Sequence, residues 1–223
     1  MLLPEKLVLP ILMGPLRGCP WLIASGNLPY WIGNYEREQV LPFTQSLFAN
    51  AIVYDIGAHA GYYTIIASRK VGEGGKVIAF EPLPKNVFNL EKNVRINKLE
   101  NVRIVESAIS DNDGTALFSE GKGSYEGKID PCGKIEVNVK SIDSLVETGN
   151  YRKPDILKID VEGSEFRVLL GAKNCLAKFR PRVFLSIHSL EMEKSCISFL
   201  SSINYRILKL QCKKGYVSEI MAY

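Results

Sequence analysis

From residue 51 onward, short runs of β-branched and aliphatic residues alternate with stretches of helical periodicity, a pattern that points to a parallel sheet flanked by helices. Ala51-Ile52-Val53-Tyr54-Asp55 reads as the first strand, and Gly61 to Lys70 as the helix that follows it. Lys76 to Glu81 reads as the second strand. The helix behind it shows apolar positions at Val87, Leu90 and Val94 and a stop at Asn97. Val102 to Val105 makes a third strand. Ile156 to Asp160 makes a fourth, with a short helix from Ser164, and Val183 to His188 a fifth. The next helix carries Met192, Cys196, Phe199, Leu200 and Ile203 on one face. Two strands near 205–210 and 216–220 close the series. The expectation is a doubly wound, Rossmann-like α/β fold: seven mostly parallel strands, an antiparallel last strand and helices on both faces.

Two segments fall outside this rhythm. Residues 110–140 read as an insertion, with short strands at Thr115 to Ser119 and Ile135 to Val139 around a flexible loop containing Gly121, Gly123, Gly127 and Gly133. Residues 1–50 read as an N-terminal extension ahead of a domain spanning 51–223. Its apolar stretch from Leu7 to Ile23 is broken by Pro10, Pro15, Pro20 and Arg17, too interrupted for a membrane-spanning helix. It lacks the basic start and cleavage site of a signal peptide, so a packed extension is expected.

Composition narrows the function classes. At 223 residues, 46% hydrophobic and 23% charged, the chain suits a globular domain with a sizeable core. A formal net charge of +4, scattered along the chain, offers no basic stripe; it argues against DNA as a partner and makes RNA a poor one. Cys19, Cys132, Cys175, Cys196 and Cys212 form no C-x-x-C pair, so no zinc ribbon or redox pair is expected. They read as reduced thiols of a cytoplasmic protein.

Ligands of open α/β sheets bind beyond the carboxyl ends of the strands, so the strand tips carry the functional signal. At the first tip, Asp55-Ile56-Gly57-Ala58-His59-Ala60-Gly61, the glycines allow a tight turn and close approach to a ligand, while a helix N-terminus supplies N–H groups. A dinucleotide site would present bare backbone to a pyrophosphate, which the Asp55 carboxylate would repel. A cofactor with a cationic amino-acid end suits it better. Glu81 follows Gly57 by 24 residues (81 − 57) at the second tip, placed to accept hydrogen bonds from ribose hydroxyls. Ser107 and Ala108, after the third strand, would lie near an adenine. His59 reads as a spacer within the loop.

The third constellation is Lys158-Ile159-Asp160-Val161-Glu162-Gly163. In an extended strand Lys158 and Asp160 share a face, with Glu162 just past its end. Charges at the edge of a buried strand are costly unless paired or used. His188, ending the next strand, could face Asp160 or Glu162 and help take a proton from an acceptor hydroxyl. A structural ion pair with a capped helix would explain the same residues. Asp160, Glu162 and His188 could also supply oxygen and nitrogen ligands, but no spacing demands a metal, and none is assigned.

Asp-Ile-Gly-Ala-His-Ala-Gly-Tyr-Tyr-Thr (55–64), Ala-Phe-Glu-Pro (79–82) and Leu-Lys-Ile-Asp-Val-Glu-Gly-Ser-Glu (157–165) together resemble the FkbM family of methyltransferases, over about Tyr30 to His188. The resemblance implies a class I methyltransferase fold with S-adenosyl-L-methionine as donor. It also implies a hydroxyl acceptor on a sugar, glycan or small natural product. It carries cofactor roles onto Asp55, Gly57, Gly61 and Glu81, and active-site roles onto Asp160, Glu162 and His188. An acidic residue often precedes the Ile-His pair in the family; here that position is Ser186. Tyr30-Trp31-Ile32-Gly33-Asn34-Tyr35-Glu36 is a further aromatic stretch, suited either to facing a sulfonium cation or to surface packing.

The expected reaction is O-methylation, with the chain aligning acceptor and donor in a dry cleft. Rival readings are N-methylation of protein or RNA, a cofactor-binding scaffold without turnover, and a dinucleotide-dependent oxidoreductase, which Asp55 disfavours. Oligomeric state and acceptor identity are not encoded in any motif.

Overall fold

The computed structural model describes residues 7–26, 28–120, 127–213 and 215–223. Seven strands form one sheet in the order Ile207–Lys213, Tyr216–Ala222, Arg182–Ser186, Ile156–Ile159, Ile52–Ile56, Lys76–Phe80, Val102–Val105. Tyr216–Ala222 runs antiparallel to both neighbours, and the five strands beyond it pair in parallel. This is the expected doubly wound sheet with its antiparallel last strand.

The central strands are apolar on both faces because both are covered. Ile52, Tyr54, Ile56, Leu157, Ile159, Val183 and Leu185 point to one side, onto the helices Glu165–Leu170, Lys173–Phe179 and Leu190–Ser202. Val53, Val77, Ile156 and Phe184 point to the other, beneath the helix Tyr62–Val71 and the N-terminal segment. From that segment Ile11, Leu16, Trp21, Tyr30, Val40 and Phe43 are buried in the same core. Part of its apolar stretch is therefore interior packing, with Val8, Leu12 and Met13 left exposed, and an antiparallel pair of strands, Val8–Pro10 and Pro20–Leu22, ties it together.

The pleat decides where the chemistry goes. Side chains alternate along a strand, so Asp55, Lys158, Asp160, Ser186 and His188 follow Val53, Ile156 and Phe184 on the face that the N-terminal segment covers. Cross-strand register pairs Asp55 with Lys158 and Ser186 with Glu219.

Helix ends follow their local signals. Asn97 is the C-cap of Pro84–Ile96, and the Ser189 side chain caps Leu190–Ser202 by accepting from Met192 N at 3.2 Å. On that helix Cys196 and Leu200 are buried, and Met192, Phe199 and Ile203 pack against the same core. Four helices lie outside the sequence expectation: Leu28–Ile32, Ile142–Glu147 and Lys173–Phe179, each of five to seven residues and too short for a periodic signature, and Arg37–Ser46, which carries Pro42 in its interior.

The insertion differs from a loop with two short strands. Ala108–Ile109, Ile135–Lys140, Gly114–Glu120 and Gly127–Ile129 form a second, four-stranded sheet in that order. Leu83, Ala108, Phe118, Val137 and Val139 form its small core. Gly127 and Gly133 are glycines for steric reasons: a Cβ would meet the Phe118 ring at 2.3 Å and the Phe118 backbone at 2.4 Å. Gly121 and Gly123 lie outside the described residues.

Candidate active site

The first strand ends in the loop 57–61, and its glycines answer to two different neighbours. Gly57 has φ +79°, and a Cβ there would stand 1.8 Å from the backbone oxygen of Asp160. Gly61 has φ +92° as N-cap of Tyr62–Val71, and a Cβ would strike Leu90 at 2.5 Å. The close approach expected toward a ligand is thus made by the protein itself at both glycines. The loop N–H groups are also engaged. Gly57 and Ala58 both donate to Phe80 O at 3.0 Å, His59 donates to Glu81 Oε2 at 2.9 Å, and Gly61 donates to Ala58 O at 2.8 Å. A phosphate needs free N–H groups at such a turn, and these four are already committed.

Two buried carboxylates flank the loop. Asp55 is 2% exposed and accepts from Thr64 Oγ1 at 2.5 Å; burial pushes its pKa up to about 6, against the pull of Thr64 and Lys158. Glu81 accepts from His59 N, from Leu83 N at 3.0 Å and from Asn86 Nδ2 at 3.2 Å, and burial raises its pKa against those bonds. Ionised, a carboxylate offers about four lone-pair sites, so Glu81 both ties the loop down and keeps capacity for a ligand.

Asp55, Gly57, Ala58, Glu81, Ser107 and Ala108 all line one cleft of about 990 Å³ at the carboxyl edge of the sheet, open to solvent at its mouth. Its far end is apolar, walled by Leu83, Ile109, Phe118 and Ile129, the last three from the second sheet. Ser107 Oγ is turned to the backbone oxygens of Ala108 and Asn138, at 2.9 and 3.0 Å, and joins the third strand's tip to the insertion. The near end is aromatic. Tyr30 stacks on Tyr35 with centroids 4.0 Å apart, and Tyr62 meets both edge-on. Trp31 instead turns away and donates to Pro10 O, so the aromatic stretch is divided between cleft and packing.

Asp160 and Glu162 form the floor of that near end, and His188 stands against both. His188 Nε2 lies 3.5 Å from Asp160 Oδ1 and 3.3 Å from Glu162 Oε2. The turn that presents them is sharp: Glu162 and Gly163 both have positive φ, at 51° and 98°. Glu165 completes the set. Fully buried at the start of its helix, it places Oε1 2.6 Å from His188 Nδ1 and accepts from Gly163 N at 2.7 Å. Burial lowers the imidazole pKa, but the hydrogen bond to Glu165 and the charges of Asp160 and Glu162 outweigh it, raising it to about 9. At neutral pH such an imidazole is charged and donates from both nitrogens. In that form it holds an oxygen and does not take its proton.

Beneath the floor, Lys158 is 1% exposed, with Nζ 3.2 Å from Asp160 Oδ2, 3.2 Å from Ser186 Oγ and 4.5 Å from the Tyr63 ring centroid. Glu219, opposite Ser186 on the antiparallel strand, accepts from Ser186 Oγ at 3.1 Å and from the Gln39 side-chain amide. Glu36 accepts from Tyr63 Oη at 2.8 Å. The carboxylate absent at position 186 is thus replaced in space by one from the neighbouring strand.

Sequence reasoning named Asp160, Glu162 and His188, and the structure brings all three together. It missed Glu165 and Glu219. Glu165 carried a faint signal as an acid at the first turn of an otherwise apolar helix. Glu219 carried none, since its register with Ser186 depends on a strand pairing 33 residues away.

A model of the Methyltransferase FkbM domain matches residues 55–218, well over half of the chain. Hexuronic acid methyltransferase AglP of Haloferax volcanii is 29% identical over 186 residues, spanning 82% of this chain and 75% of that protein. Methyltransferase sdnD of Sordaria araneosa is 27% identical, spanning 68% of this chain and 75% of that protein. Among solved structures, Methyltransferase FkbM from Methylobacillus flagellatus superposes with a TM-score of 0.60 at 19% identity, over 79% of this chain and 44% of that one. This chain therefore spans less than half of that structure's length.

Proposed function

The chain belongs to the FkbM methyltransferase family, with S-adenosylmethionine as its methyl donor, and from that premise we propose that it methylates a hydroxyl oxygen on a sugar or similar natural-product acceptor. The observation that carries the donor site is the loop 57–61, four of whose N–H groups are committed internally while two buried carboxylates, Asp55 and Glu81, face the cleft. That pairing fits a cationic nucleoside and disfavours a pyrophosphate. The dinucleotide-dependent reading loses its main support on this ground.

In this reading Glu81 accepts from ribose hydroxyls. The apolar end around Ala108, Ile109 and Phe118, with Ser107 behind it, takes the adenine, and Asp55 faces the amino-acid ammonium. Gly57, Ala58 and Gly61 hold the floor of that site open by keeping the loop flat against the strand tips. Tyr62 Oη is buried, lines the cleft and has no hydrogen-bond partner among the described residues, so it is a donor available to the ligand carboxylate. Tyr30 and Tyr35 present ring faces at the near end, where a sulfonium is attracted. When bound, the cofactor supplies an electrophilic methyl group.

The acceptor belongs at the near end, over Asp160 and Glu162. Their carboxylates can accept a hydroxyl hydrogen, and His188 Nε2 stands against both. The relative that acts on a hexuronic acid supports a sugar acceptor, as does the polar, hydrogen-bonding character of this floor. Displacing water from the cleft as the ligands bind favours transfer, because the sulfonium charge disappears in the reaction.

Calorimetric titration with S-adenosylmethionine tests the donor site: micromolar binding is expected, weakened at least tenfold in Asp55→Asn and Glu81→Gln. Methyl-tritiated cofactor then tests the acceptor, with label expected in an alkali-stable ether on a glycan fraction. Label recovered only in protein or RNA would replace this reading with N-methylation, and cofactor binding without any transfer would leave only a scaffold.

A further inference from the structure

The floor of the acceptor end carries a ligand set that orienting a hydroxyl does not require. Asp160 Oδ1, Glu162 Oε2 and His188 Nε2 lie within 4.8 Å of one another; all three side chains are partly exposed, and Asp160 and Glu162 line the cleft. Bonds of roughly 2.0–2.2 Å to one small cation place neighbouring ligand atoms about 3 Å apart and opposed ones about 4.3 Å apart. Small side-chain rotations therefore close this set around an ion.

Glu165 supplies independent support. Its Oε1 fixes His188 Nδ1 at 2.6 Å and so turns Nε2 toward the two carboxylates. A carboxylate behind an imidazole, holding its tautomer so that the far nitrogen can bind, is the usual outer partner of a metal-ligating histidine. Glu165 is also fully buried, and its Oε2 has no hydrogen-bond partner among the described residues. A buried carboxylate half satisfied is costly. Asp160, Glu162 and Glu165 bring three negative charges to this corner, against the Lys158 ammonium and, without an ion, the His188 imidazolium. A divalent cation with a neutral imidazole would balance them.

We propose that Asp160, Glu162 and His188 bind a divalent cation, with Glu165 as the residue that positions His188. The single imidazole nitrogen beside two carboxylate oxygens favours a first-row transition ion such as Mn²⁺ over Mg²⁺ or Ca²⁺. Binding releases the Nε2 proton to solvent, and Nδ1–H remains donated to Glu165. The open coordination positions face the cleft, where the acceptor hydroxyl binds the ion and becomes more acidic. This use of the ion rests on the methyl-transfer reading above; the existence of the site does not.

The test is a titration of chelator-treated protein with MnCl₂, following the paramagnetic resonance signal of free Mn²⁺. Saturable uptake of one ion per chain is expected. Affinity should fall at least tenfold in His188→Ala and in Glu162→Gln, and the 35% exposed Glu162 side chain makes an unchanged circular-dichroism melting curve the expected control for the latter. Glu165→Gln should lower it about 10–100-fold. No saturable uptake by folded protein, or unchanged affinity in Glu162→Gln, overturns the site. A parallel calorimetric titration of the metal-free protein with S-adenosylmethionine separates the two readings. Cofactor binding without Mn²⁺ uptake removes the ion and leaves methyl transfer standing, whereas uptake without cofactor binding supports the ion and removes the donor assignment.

Discussion

The backbone of Gly57 lies so close to Asp160 that a methyl group at position 57 would stand 1.8 Å from the Asp160 oxygen. The first strand's glycine loop and the fourth strand's acidic loop therefore meet as bare backbone along one seam of the cleft. Asp160 N donates to Ile56 O at 3.0 Å and fixes the seam from the other side. Gly57→Ala adds both a left-handed alanine and a backbone clash, neither of which a side-chain rotation can relieve. It should cost more than about 3 kcal/mol, read from urea unfolding. A loss below about 1 kcal/mol would mean that the two loops do not touch.

Tyr62→Phe separates stability from binding. Removing a buried hydroxyl that has no hydrogen-bond partner among the described residues should leave the melting temperature unchanged or slightly higher. The same change should weaken S-adenosylmethionine several-fold in calorimetry. Equal affinity in the variant would show that the hydroxyl faces no ligand atom.

Lys158 is the buried counter-charge of the site. Burial works against its ammonium, but Asp160, Glu36, Glu219 and Asp55 hold its pKa above the ordinary value. Lys158→Met leaves those carboxylates uncompensated and should cost about 3–5 kcal/mol near pH 7.5. The cost should shrink near pH 5, where the carboxylates take up protons. Equal losses at both pH values would contradict the network.

Glu219 sets a pH dependence of opposite sign to the usual carboxylate. Burial is the main cause of a pKa raised to about 8, with Glu36 and Asp160 adding to it and Lys158 and Ser186 opposing it; the Gln39 amide and Tyr63 complete its surroundings. The folded chain then holds a proton that the unfolded chain releases near 4.5. The penalty is absent below about pH 4.5, grows as pH rises, and is complete above about pH 8. Glu219→Gln should therefore flatten the fall in stability between pH 5 and 8 and raise the melting temperature at pH 8. A variant with the same pH profile as the parent would place the titration elsewhere.

Local pattern made most of the sheet legible. The central strands are apolar because both faces are covered, and Asp55, Glu81, Asp160 and His188 stand out because each follows such a run at or just past the carboxyl edge. Short helices such as Lys173–Phe179 were illegible because two turns carry no periodic signature. The inserted sheet was half legible: its strands alternate, but Gly127 and Gly133 suggest flexibility until the Phe118 side chain and backbone are seen to occupy the space a Cβ would need.

By itself the sequence determined the α/β alternation, the glycine loop with its carboxylate, and the acidic turn at 160–163, since each is set by neighbours in the chain. Only the tertiary structure decided that four of the loop N–H groups are already committed, that Glu165 stands behind His188, and that Glu219 brings a carboxyl group against Ser186. Those relationships depend on strand register and on which face the N-terminal segment covers. They arise from burial and packing between residues far apart in the chain, and no local spacing records them.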